Sequence, residues 1–175
     1  SDLAKQMLKD PYKFDFFSLG KEHTERELET NLVAHITQFL LELGAGFAYI
    51  GRQVPLQVGE RDFFLDLLFY HARLHCYVVV ELKTVDFEPE FAGKLNFYLK
   101  AVDEQLRREG DQPTIGLLLC SDKSEAVAKY SILHESRQIF ASKYMLNLPT
   151  EEQLRLEIER ERQFIESALE GHDLS

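Results

Sequence analysis

Cysteine is scarce in this chain: there are 2 among 175 residues, Cys76 and Cys120, and they form no CxxC pair. That spacing argues against a structural zinc cluster. Both lie in apolar, strand-like runs, so they read as reduced core thiols rather than a disulfide. Long apolar runs are missing as well. None reaches the roughly 20 residues that a bilayer-spanning helix needs. The opening SDLAKQMLKD lacks a secretory pattern, and the expectation is a soluble, cytoplasmic protein with no membrane partner. Positive charge is in deficit, with 20 Lys and Arg against 30 Asp and Glu, a net charge of −10. Taken alone, this argues against a protein that coats nucleic acid with a broad basic surface. The deficit is uneven, however. Much of the acid lies in TEEQLRLEIERERQFIESALEGHDLS at the end, whereas Lys83, Lys94, Lys100, Arg107 and Arg108 lie in the middle of the chain.

The hydrophobic content of 45% and aromatic content of 11% suit one folded domain with a sizeable core. Thr24-Glu-Arg-Glu27 has the form of a capping box. Leu28, Leu32, Ile36, Phe39, Leu40 and Leu43 follow at helical spacing with Gly44 as the stop, which predicts a helix over about 24–43. AYIGRQVPLQV is a strand candidate, and Gly59-Glu60-Arg61 is a turn into a second strand, which makes a hairpin. A third strand follows a short turn near Ala72. Pro89 suits the first turn of a helix running through Leu95, Leu99, Val102 and Leu106 toward Gly110. The strand Thr114–Cys120 is apolar enough to be buried on both faces. A short helix capped by Ser121 and reaching about Leu133, a strand over Gln138–Tyr144, and a surface helix from Thr150 with Gln153 completing a capping box end the chain. The order αβββαβ predicts an α/β fold: a mixed sheet of four to five strands flanked by helices.

The chemistry is concentrated in DFFLDLLFYHARLHCYVVVELK, residues 62–83. Its charges inside otherwise apolar strands are Asp66, Glu81 and Lys83, and a buried charge is costly unless paired or bound to metal. Strand side chains alternate, so Glu81 and Lys83 share a face and Leu82 points the other way. If the two strands pair antiparallel, Asp66 comes alongside Glu81. Two carboxylates and an ammonium then converge, which is the arrangement a magnesium-dependent phosphodiesterase uses: oxygen ligands for the ion and a lysine for the attacking water. On the following helix, Lys94, Tyr98, Gln105 and Arg108 fall near one stripe, and Lys94 and Tyr98 are candidate substrate or phosphate contacts.

At these residues the chain resembles the PD-(D/E)xK nuclease superfamily and, within it, the YhcG-like nuclease-domain family. The resemblance runs through KDPYKFDF, FLLELGAGFAYIGRQ, LDLLFYH, YVVVELK, FEPEFAGKLNFYL and PTIGLLLC to the LPT near residue 150. It implies a restriction-endonuclease-like core and a bacterial, cytoplasmic enzyme that hydrolyses phosphodiester bonds in nucleic acid, DNA above all, with a metal-activated water. Asp66 matches the first acid of the motif, Glu81 the second and Lys83 the lysine. Magnesium, with manganese as a substitute, would be held by Asp66, Glu81 and a main-chain carbonyl near Leu82. A further acid from the first helix is implied, with Glu29 the choice and Glu25 the reserve. Leu65 stands where the motif has a proline, a position outside the chemistry. The resemblance also implies a missing amino-terminal helical domain of the same protein. Residues 1–23 would then be a tether, 24–149 the nuclease-like domain and 150–175 an acidic helix.

Each feature has a plainer reading beside it. Glu81 or Asp66 could form a structural ion pair with Lys83. The Lys94 stripe could be the solvated face of an amphipathic helix, and Tyr98 beside Phe97 could be core. Glu29 and Glu25 are ordinary first-turn acids that favour the helix dipole. His71 and His75 are four apart on a strand or turn, which is not a metal-binding spacing there. A catalytically silent module that binds nucleic acid or a protein on this fold is the alternative function; the intact Asp66, Glu81 and Lys83 set counts against it. Pairing of two copies through the opening segment and the tail helix, a homo-oligomer, is compatible with either.

Overall fold

The computed structural model describes residues 2–15, 22–129, 136–146 and 151–173. Its elements are α1 (Asp2–Met7), β1 (Tyr12–Phe14), α2 (Glu25–Ala34), α3 (Ile36–Leu43), β2 (Phe47–Val58), β3 (Arg61–His71), β4 (Cys76–Leu82), α4 (Pro89–Gln105), β5 (Ile115–Cys120), α5 (Glu125–Lys129), β6 (Ile139–Leu146) and α6 (Glu151–Asp173). The strands form one mixed sheet in the order β1-β6-β5-β4-β3-β2. β2, β3 and β4 are an antiparallel meander, and β4, β5, β6 and β1 run parallel. The α/β class is as expected. The strand count is six among the described residues rather than four to five.

The additional strand is β1, drawn from the aromatic opening segment. It has three residues, too few for an alternating pattern to stand out in the sequence, yet Tyr12 and Phe14 are fully buried. Phe14 packs edge-on against Phe39 and stacks on Tyr144. This part of residues 1–23 therefore belongs to the sheet and its core.

Two apolar layers cover the sheet. On one face α2 and α3 supply Leu28, Leu32, Phe39 and Leu43 against Phe69, Val78, Val80, Leu82, Leu117 and Leu119. On the other, α4 supplies Ala92, Leu95, Leu99 and Val102 against Val79, Leu118 and Cys120. The parallel β4-α4-β5 crossover explains why every residue of β5 is buried. Cys76 and Cys120 are free and buried, and no helix among the described residues is long and apolar enough to cross a membrane.

The expected helix over 24–43 is two helices. Thr24 does cap the first, accepting from the Glu27 amide at 3.1 Å. At His35, however, both the backbone N–H and ring Nδ1 lie on the Asn31 carbonyl, at 3.0 and 2.9 Å. His35 leaves the helical region with φ −112° and ψ 43°, and a new helix starts at Ile36. Gly44 ends it at φ 111°, a value an L side chain resists. α4 begins at Pro89 but ends at Gln105, short of Gly110. Ser124, not Ser121, stands before α5: its carbonyl accepts from Ala128, while Ser121 Oγ faces Asp86 at 3.4 Å. Leu133 and Thr150 lie outside the described residues.

Candidate active site

β3 and β4 pair from His71↔Cys76 as far as Leu67↔Val80. The next residues, Asp66 and Glu81, stand opposite each other where the ladder stops. Their carboxylates take over the backbone donors left there: Glu81 Oε1 accepts from the Asp66 amide at 3.1 Å, and Asp66 Oδ2 accepts from the Leu82 amide at 2.9 Å. Side chains thus close the split between the strands and hold both acids in fixed positions.

The hairpin of β2 and β3 changes face at the same level. Leu67 packs in the α2–α3 layer and Leu65 in the α4 layer, although two residues of a regular strand share a face. Across the ladder, Arg52 pairs with Leu67 and Val54 with Leu65. Between Arg52 and Val54 is Gln53, whose φ of 46° is left-handed and uncommon for a non-glycine residue. This kink aims Gln53 at the acids. Its Nε2 donates to Glu29 Oε2 at 2.7 Å and to Asp66 Oδ1 at 3.2 Å. Sequence reasoning missed Gln53. The available signal was the interruption of its strand by Gly51 and Pro55, which marks an irregularity rather than a role.

Of the two candidate first-helix acids, the fold brings Glu29 to the site. It is 4% exposed, with Arg52 Nε 4.0 Å from Oε1. Glu25 acts instead on Tyr144 in β6. Glu81 is 7% exposed, and burial first, then the charge of Asp66, holds its carboxyl well above the usual carboxylate range, with Lys83 pulling the other way. Glu29 is raised by burial, opposed by the Gln53 hydrogen bond and reinforced by Asp66. Lys83 follows Glu81 on the α4 side and rests its Nζ 4.7 Å from the centre of the Phe91 ring. Lys94 is exposed, with Nζ 5.7 Å from the Tyr98 ring. Tyr98 itself is a core residue, 3% exposed. Burial, with Glu81 and Asp66 nearby, pushes its hydroxyl up to about 12. Gln105, near the stripe of Lys94 at the end of α4, donates from its side chain to the Gln57 carbonyl at 2.8 Å.

Among the described residues no three His, Cys, Asp or Glu side chains form a ready cation cage. The donor set still suits a hard divalent ion. Asp66 and Glu81 supply carboxylate oxygens in contact with each other and mutually repulsive, Glu81 buried and Asp66 half-buried, and a cation removes that cost. One N–H on an oxygen orients a carboxylate without exhausting its lone pairs. Glu29 stands one amide further away.

The family model described as the YhcG PDDEXK nuclease domain matches residues 5–159. The chain belongs to this family of nuclease domains. Among curated proteins, the chain matches the YhcG protein of Escherichia coli (strain K12), whose name calls it a nuclease provisionally, at 37% identity over 164 residues. That match takes in 94% of this chain and 44% of the relative, so the chain spans under half of its length. Among solved structures, similar chains include a repair endonuclease from Pyrococcus abyssi, with TM-score 0.47 and 20% identity over 72% of this chain and 49% of the other. Another is EndoMS in a complex with dsDNA, with TM-score 0.49 and 20% identity over 74% of this chain and 48% of the other.

Proposed function

We infer that this YhcG domain hydrolyses phosphodiester bonds of nucleic acid, DNA above all, with the help of magnesium or manganese. The observation that carries the reading is the meeting of buried Glu81 and half-buried Asp66 at the end of the β3–β4 ladder, two acids whose repulsion a divalent ion would relieve. Asp66, Glu81 and the Leu82 main-chain carbonyl would hold that ion, with Glu29 as a further acid. A divalent ion bound there supplies Lewis-acid polarisation of a phosphoryl oxygen and a more acidic water.

The remaining work falls to the chain. The Leu82 amide and Gln53 fix the Asp66 carboxylate from two sides, so its oxygens need no reorganisation when substrate arrives. Lys83, two residues after Glu81 on the same face, orients the attacking water and offsets charge developing on the phosphate. Lys94, exposed on α4, contacts a neighbouring phosphate. Tyr98, whose ring is core, lines the site beside it. The free, buried thiols suit the reducing cytoplasm. The relative's greater length suggests an amino-terminal helical domain in the whole protein that adds affinity for nucleic acid.

Incubating plasmid, single-stranded DNA, branched DNA and RNA with magnesium or manganese tests this reading. Cleavage by the native domain, lost by about a thousandfold or more in Asp66→Ala and in Glu81→Ala, is the expected outcome, since each removes charge stabilisation at the reacting phosphate. Full activity in a folded Asp66→Ala preparation would overturn it.

A further inference from the structure

Among the described residues, three cations lie over aromatic rings on the α4 side of the sheet, and two of them are joined by a run of ring contacts. Lys83, next to Glu81, rests on Phe91 at 4.7 Å. One turn along α4, Lys94 rests on Tyr98 at 5.7 Å. Tyr98 touches Phe97, with ring centres 6.2 Å apart. Phe97 meets Phe63 of the β2–β3 hairpin at 5.0 Å, and Arg61 caps Phe63, also at 5.0 Å. The result is a ribbon, a run of rings flanked by positive groups, with Lys83 and Lys94 at the end near the candidate active site and Arg61 at the hairpin tip.

Core packing explains Tyr98, which is buried, but not the whole ribbon. Phe97 is 40% exposed, Phe63 and Phe91 are half-buried, and Lys94 and Arg61 are exposed. A chain with net charge −10 nonetheless lines this track with ammonium and guanidinium groups. Double-stranded nucleic acid presents phosphates to such a surface and keeps its base faces stacked inside. Unpaired strands present both phosphates and base faces, and cations flanking an exposed Phe97 and a half-buried Phe63 match that pair.

We propose that the ribbon from Lys83 through Lys94 and Phe97 to Arg61 binds an unpaired strand of nucleic acid, its bases stacking on Phe97 and Phe63 and its phosphates meeting Lys94 and Arg61. It deepens the nuclease reading by feeding such a strand to Asp66 and Glu81, and rests on that reading for cleavage alone, not for binding.

The test is fluorescence anisotropy in chelator, where nothing is cut, using labelled oligo(dT), labelled oligo(U) and a labelled duplex of the same length. Phe97→Leu keeps apolar packing but removes the ring; Phe97→Tyr keeps the ring. The native domain is expected to bind at least one single strand more tightly than the duplex. Phe97→Leu should weaken that single strand by about 5- to 100-fold, with duplex affinity and thermal midpoint retained, and Phe97→Tyr should bind as the native does. Lys94→Ala should weaken both forms and lower the salt slope by about one. Equal loss on duplex and single strand in Phe97→Leu, no loss, or no binding by the native domain would overturn the ribbon. Because cleavage is scored separately with Asp66→Ala, a domain that cuts but ignores Phe97 refutes the ribbon alone. One that binds through Phe97 but never cuts refutes the nuclease reading alone.

Discussion

Gln53 shows most directly how one residue can organise the site. Its backbone sits at φ 46°, a strain of about 1–3 kcal/mol for a residue with a side chain, and its amide spans Glu29 and Asp66. Backbone and clasp can be separated. Gln53→Ala keeps the strain and loses the clasp; manganese affinity, read by titration calorimetry, should fall about 10- to 100-fold, as when an outer hydrogen bond to a metal ligand is removed. Gln53→Gly loses the clasp too but relieves the strain, so it should be more stable than Gln53→Ala by about 1 kcal/mol while binding manganese no better. Native affinity in both variants would remove Gln53 from the site. Glu81 gives a second residue-scale result. Its carboxyl is held above the ordinary range by burial and by Asp66, so the folded state favours the protonated form. That contribution is full below the ordinary carboxylate pKa and is lost as pH rises through the folded value. In chelator, Glu81→Gln should therefore match the native midpoint in acid and exceed it increasingly toward neutral pH. Parallel melting curves across that range would contradict this cause.

Among the elements, the strands with long alternating or unbroken apolar runs are legible in the sequence itself: β2 through β6 fall within a few residues of where their patterns place them. Elements set by contacts distant in sequence are not. β1 is three residues long and gains its identity from pairing with β6 and from the Phe39 and Tyr144 rings. The break at His35 goes with a side-chain bond to the Asn31 carbonyl, which helical spacing does not reveal. Likewise Asp66, Glu81 and Lys83 are visible as charges in apolar strands, whereas choosing Glu29 over Glu25 requires the α2 axis, and Gln53 requires the kink. The burial of β1 has a measurable consequence. Phe14→Ala should cost about 3–5 kcal/mol in chemical denaturation, while Phe164→Ala on α6, at 76% exposure, should change stability by less than about 0.5 kcal/mol. Similar small effects at both positions would mean that β1 is no part of the folded core.

For the whole molecule, a net charge of −10 and a nuclease fold are reconciled by geography. The acidic residues 155–171 that are described on α6 stand exposed, while Lys83, Lys94 and Arg61 share the α4 side of the sheet, where Glu81 lies. The sheet itself makes the site. Where β3 and β4 part, two acids replace backbone pairing, and α2 and α4 bring Glu29 and Tyr98 up from opposite layers. The claim on which the rest depends is that this split is a divalent-ion site. Calorimetric titration of manganese into the folded domain tests it without any substrate. Binding by the native protein that disappears in both Asp66→Ala and Glu81→Gln, each still folded by circular dichroism, is the result expected. Equal binding by native and variants, or none by the native domain, would contradict it.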